Sequence, residues 1–96
     1  MPTTTRSTLA AAAALVLDPL ADLDPVVVTI THDAHVSVQF FTAVDRREAA
    51  ARLGLADIPD LWGDISRPHA EQAGRYADMQ VRVYSRADES DLAARA

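Results

Sequence analysis

The run His32-Asp33-Ala34-His35 sets two imidazoles around one carboxylate within four residues. Imidazole nitrogens and carboxylate oxygens are the donors of borderline metals, and the same pair performs general acid–base chemistry. His69 offers a third imidazole, and Asp57, Asp60 and Asp64 offer further carboxylates. Together they define the one enzymatic reading the chain invites, a metal-assisted reaction at His32, His35 and His69. There is no cysteine, which excludes disulfides, thiol catalysis and thiolate metal sites. No phosphate loop, nucleophile elbow, dinucleotide fingerprint or helix-turn-helix signature is present.

Whether the two close histidines meet depends on the strands that carry them. Val26–Thr31 and Val36–Phe41 are rich in β-branched residues and read as an antiparallel hairpin. A two-residue turn, Asp33-Ala34, would put His32 opposite His35, with Cβ atoms ~5 Å apart. That register also sets Ile30 against Ser37 and Val28 against Gln39, mixing apolar and polar side chains on one face. A three-residue turn, His32-Asp33-Ala34, pairs Ile30 with Val36, Val28 with Val38 and Val26 with Phe40. Register follows the buried pattern, so the longer turn is expected. His32 then lies in the loop and His35 on the polar face beside Thr31. The histidine cluster reads as a hairpin tip, with no metal, cofactor or catalytic residue assigned to it.

The remaining elements follow from caps and periodicity. Ser7 or Thr8 can cap a helix through the alanine run to about Leu17, with Leu9, Val16 and Leu20 as its stripe. Thr42 with Asp45 makes a capping-box arrangement, and Gly54 closes a helix over about Ala43–Leu53. Val44, Ala51 and Leu55 are expected to face the sheet, flanked by Ala50 and Leu53. Arg46, Arg47 and Arg52, interleaved with Asp45 and Glu48, read as a solvated, ion-paired helix face. The stretch from Ala56 to Tyr76 reads as irregular, with one helical turn at "PDLWGDI". There Trp62, Ile58 and Ile65 are expected to cover the open end of the core. Tyr76–Ser85 alternates as a half-buried strand, and "RADESDLAARA" reads as a frayed helix or tail.

This order, α-β-β-α-β, predicts a two-layer α+β domain: a three-stranded antiparallel sheet of order 2-1-3 with both helices on one face. The second and third strands would be its exposed edges, inviting a homodimer through a continuous sheet. The uncovered face would carry Thr29, Thr31, His35, Ser37, Gln39, Phe41, Asp78, Gln80, Arg82 and Tyr84. From it, His35, Gln39, Phe41, Arg82 and Tyr84 are the partner-binding candidates, together with Trp62 in the long loop.

The chain has 96 residues, which corresponds to one small domain, and a net charge of −5. Nonspecific nucleic-acid binding draws mainly on phosphate neutralisation, which needs a basic surface. Nucleic acid is therefore an unfavoured partner; as the alternative reading, it would use the polar sheet face and the arginines. The apolar run Leu9–Leu17 is far shorter than the ~20 residues of a membrane span, so no membrane association is expected and a cytoplasmic location is. The leading expectation is a small non-enzymatic interaction protein that acts through protein–protein contacts, as a homodimer, in an accessory, regulatory or inhibitory role.

The chain has no lysine and all nine basic residues are arginine, as in translation from a high-GC genome. The pattern "VVVTITHDAHVSVQFF", a capped helix and then "MQVRVYS" resembles small proteins of actinobacterial phages and integrated elements. The likeness covers about Pro25 to Ser85. It implies an accessory or host-interaction protein and carries over no activity.

Overall fold

A computed structural model describes residues 5–31, 33 and 35–95. The elements are α1 (Thr5–Leu17) with a 3-10 turn at Asp18–Leu20, β1 (Pro25–Ile30), β2 (His35–Phe40), α2 (Ala43–Leu53), β3 (Asp60–Trp62), β4 (His69–Tyr76), β5 (Met79–Arg86) and α3 (Glu89–Arg95). The fold is α+β, as expected. Among the described residues the sheet is five-stranded and mixed, with order β1-β2-β5-β4-β3, and only its β2 and β5 run parallel. This corrects the expected three-stranded antiparallel sheet of order 2-1-3.

The hairpin register is the one that the buried pattern demands. Ile30 pairs with Val36 and Val28 with Val38, and the Thr31 N–H donates to the His35 carbonyl at 3.0 Å. His32 and Ala34 of the turn lie outside the described residues. The expected pairing of Val26 with Phe40 gives way to a β-bulge: Phe40 pairs with Pro25, and Val26 is left over and exposed.

The last predicted strand, β5, lies beside β2 and not beside β1. Val36 and Val38 of β2 align with Val81 and Val83 of β5. All four are buried in one cluster with Val16, Leu20, Phe40 and Leu53. The two strands with fully buried alternate residues thus take the centre, and β1 and β3 become the edges. This overturns the assignment of the second and third predicted strands as edges.

Two strands lie in the stretch read as irregular. β4 pairs with β5 along its whole length, through a two-residue turn at Ala77-Asp78 with φ of 49° and 65°. Left-handed conformations at both turn residues mark a type I′ hairpin, which usually advertises itself by Asn-Gly or Asp-Gly. Asp78 is therefore a turn residue and not part of the polar face. The turn expected at "PDLWGDI" is instead β3, paired with β4 from Asp60–Glu71 to Trp62–His69.

Helix α2 has the expected bounds and caps. Thr42 Oγ1 accepts the Asp45 N–H at 3.1 Å, Gly54 is left-handed at φ 67°, and the Leu55 N–H closes onto the Ala50 carbonyl at 2.9 Å. Leu55 is buried and packs over Gly74 of β4, where an added Cβ would come within 3.3 Å of Leu55 Cδ2.

The buried face of α2 differs from the expected one. Ala43, Arg46, Ala49, Ala50 and Leu53 are buried, whereas Val44 is 65% exposed and Ala51 is exposed. Arg46, read as solvated, has 0% of its surface exposed. Its Nε donates to Gln72 Oε1 at 3.0 Å, and its Nη1 donates to Ser85 Oγ at 3.1 Å and Asp91 Oδ2 at 2.9 Å; its Nη2 donates to Asp91 Oδ1. Gln72 Nε2 in turn donates to the Ala56 carbonyl at 2.8 Å. No described buried side-chain nitrogen or oxygen lacks a partner.

The C-terminal segment, expected as a frayed helix or tail, is therefore a helix docked on α2. Asp91 anchors α3 to α2, and Arg47 adds a bidentate pair to Asp88 at 2.8 and 2.9 Å. The Arg47 guanidinium holds the Asp88 carboxyl well below the usual carboxylate range. Arg52 bonds Glu48 and Asp22. Among the described residues no helix is long and apolar enough to cross a membrane.

Removing one partner of a buried pair strands the other charge, at a cost of about 3–5 kcal/mol, whereas replacing both by apolar residues is often near neutral. Urea unfolding should therefore show Asp91→Leu and Arg46→Met each strongly destabilised, with Arg46→Met/Asp91→Leu less so than either. A double variant whose loss equals the sum of the singles would show that the two residues are not coupled.

Candidate functional site

Helices α1, α2 and α3 lie toward one side of the sheet, since Val16, Leu20, α2 and, through Arg46, α3 all engage its buried face. Among the described residues no element covers the opposite face. Side chains alternate along a strand, so the register fixes what it displays. From edge to edge its rows read Thr29–Ser37–Arg82–Ala73 and Val27–Gln39–Tyr84–Glu71–Asp60. A row further along holds His35–Gln80–Arg75, and the opposite end holds Arg86–His69–Trp62.

Of the candidate residues, His35, Gln39, Arg82, Tyr84 and Trp62 share this face. Phe41 follows β2 at its end and is 81% exposed. Trp62 does not cover the core as expected: it is 40% exposed, and Ile58 and Ile65 are 56% and 96% exposed. Its indole stacks on His69 at 4.5 Å between ring centroids and lies tilted 6.1 Å from Tyr84.

Arg82 ties the middle of the face together. Its Nε donates to Ser37 Oγ at 3.0 Å, its Nη1 to Glu71 Oε1 at 2.7 Å, and its guanidinium carbon lies 4.8 Å from the Tyr84 ring centroid. One side chain thus bridges β2, β5 and β4. Where Ala73 faces Arg82 the surface dips, leaving a depression of about 150 Å³ bordered by His35, Ser37, Glu71 and Gln80.

The hairpin tip has its own local order. His35 Nδ1 lies 3.0 Å from Asp33 Oδ1, and the Thr31 hydroxyl donates to the same oxygen. These contacts, the hydroxyl first, pull the Asp33 carboxyl down to about 2. They are local turn contacts of exposed groups. His35 and His69 register against Gln80 and Arg86, six positions apart along β5, which is ~20 Å of strand. They do not converge, and His32 lies outside the described residues. Among the described residues no group of three or more His, Asp or Glu side chains is arranged to hold a metal ion.

No protein-family model, curated protein or solved structure matches the chain.

Sequence reasoning missed His69, Glu71 and Arg86 as members of this face. For His69 and Glu71 the signal is an alternation in "HAEQAGRY", where polar His69, Glu71 and Arg75 interleave with Ala70 and Gly74; Arg86 continues the alternation of Gln80, Arg82 and Tyr84. Gln72 on the buried side obscures it, because its burial depends on Arg46.

Arg82→Lys keeps the charge but cannot span both neighbours or stack as a guanidinium does. It should cost at most about 1 kcal/mol, because the pair is partly exposed. NMR should nevertheless show shifts at Ser37, Glu71 and the Tyr84 ring. A spectrum changed only at residue 82 would contradict the bridging role.

Proposed function

We propose that the protein is a non-enzymatic interaction protein that acts through protein–protein contacts and works as a homodimer in an accessory or inhibitory role. The supporting observation is the open sheet face, with Arg82, Tyr84 and Trp62 on it, Phe41 exposed at the end of β2, and no strand paired to the outer side of β1 among the described residues. Exposed aromatics and arginine are the residue types that dominate interface energetics. The nucleic-acid alternative is weakened, since Arg46, Arg47 and Arg52 are each engaged by carboxylates. A cytoplasmic location and a phage or mobile-element origin belong to the same proposal.

β1 supplies the dimer contact. The Thr31 N–H bonds inward to β2, so by alternation Val28 and Ile30 point their main-chain groups outward. Residues 25–31 carry no charge to repel a second copy. Two β1 edges can pair antiparallel about Thr29, with Val28 of each copy bonded to Ile30 of the other. Such a contact is self-complementary, as a two-fold interface must be.

In that arrangement Thr29, which is exposed, faces its own copy. Like charges directly opposite on paired strands are destabilising. Sedimentation velocity at micromolar concentration should give twice the 10.3 kDa chain mass for the wild type and a monomer for Thr29→Lys. A monomeric wild type would overturn the dimer proposal.

A further inference from the structure

At the end of the open face, Val26, Gln39, Phe40, Phe41, His69 and Arg86 line a cleft of about 250 Å³. We propose that this cleft binds a carboxylate attached to a flat or branched apolar group.

Three independent features converge on it. The first is a set of unused polar side chains. Arg86 forms no hydrogen bond or ion pair through its guanidinium among the described residues, and Gln39 makes no side-chain hydrogen bond there. His69 is held by its stack on Trp62. Asp64 feels the Arg86 charge, but it bonds the main chain and hydroxyl of Ser66 and does not line the cleft. In a chain of net charge −5, a cleft with a cationic lining residue and no acidic one is locally inverted in sign.

The second feature is apolar. Phe41 is 81% exposed and packs into no core cluster, yet it walls the cleft. The third is the β1 bulge, which leaves Val26 as the extra residue at the same place. Bulges commonly re-aim a side chain next to functional sites. A guanidinium fork matches the two oxygens of a carboxylate. A single fixed charge suits a monoanion better than a dianionic phosphate, and the volume suits one ring or branched side chain.

The inference does not depend on dimerisation, because a monomer carries the same cleft. Benzoate, phenylacetate, the neutral isostere benzamide, and a short peptide ending in phenylalanine as acid or amide are titrated into ¹⁵N-labelled protein. The expected result is localised shifts at Gln39, Phe41, His69 and Arg86 with the acids only. Losing a charge-assisted bidentate contact should weaken binding at least about tenfold in Arg86→Gln, and Phe41→Ala should weaken it too. Both positions are exposed, and the variants' spectra establish that they fold. Binding by the free acids identifies a small carboxylate as sufficient; binding by the peptide acid alone identifies a chain terminus as the source. Benzamide binding as well as benzoate, unchanged binding in Arg86→Gln, or no shift with any acid at about 10 mM, where even millimolar affinity registers, would overturn the proposal.

Discussion

Arg46 brings a guanidinium into a core built mainly from valine, leucine and alanine with Phe40 and Met79. It is tolerated because every neighbour is arranged around it: Gln72 from β4, Ser85 from β5 and both oxygens of Asp91 from α3. An unpaired buried charge costs several kcal/mol, and a paired one gains little over an apolar replacement. What the cluster supplies is placement. It brings four elements to one point, which puts α2 and α3 on the same side of the sheet.

That one-sidedness shapes the rest of the molecule. With the helices gathered on one face, the other is left to side chains that hold themselves in place, with Arg82 spanning three strands and Trp62 stacking on His69. The strands whose alternate residues are fully buried, β2 and β5, lie inside the sheet and leave β1 as an uncharged edge. At the corner between the β1 bulge and the ends of β2 and β5, Gln39, His69, Arg86 and an exposed phenylalanine surround a cleft.

Much of this was legible wherever local chemistry decides the outcome. The hairpin register follows from the alternation of Val28, Ile30, Val36 and Val38, and it alone dissolved the apparent pairing of His32 with His35. The α2 boundaries follow from Thr42, Asp45 and Gly54. Gln39, Arg82 and Tyr84 were placed on the open face by period-two alternation. What stayed hidden is held by partners distant in sequence. β4 has weak strand propensity and exists through its ladder with β5, across a turn of Ala77-Asp78 that lacks the usual glycine. Arg46 looked like a surface residue because nothing nearby in sequence signals Asp91. The same hidden contact decides the buried face of α2 and docks α3, which by sequence alone is a frayed helix or tail. Trp62 joined the face only once β3 and β4 were in place.

A protein that acts through protein–protein contacts must meet its partner on the open side of the sheet, including the β1 edge. Amide hydrogen exchange resolved by residue along β1, followed across protein concentration, reads this directly. Val27 and Thr29, bonded inward to β2, should be protected at every concentration. Val28 and Ile30 should gain protection as concentration rises. If their amides exchange as free edge groups at all concentrations, the β1 edge stays open and the proposed assembly does not form.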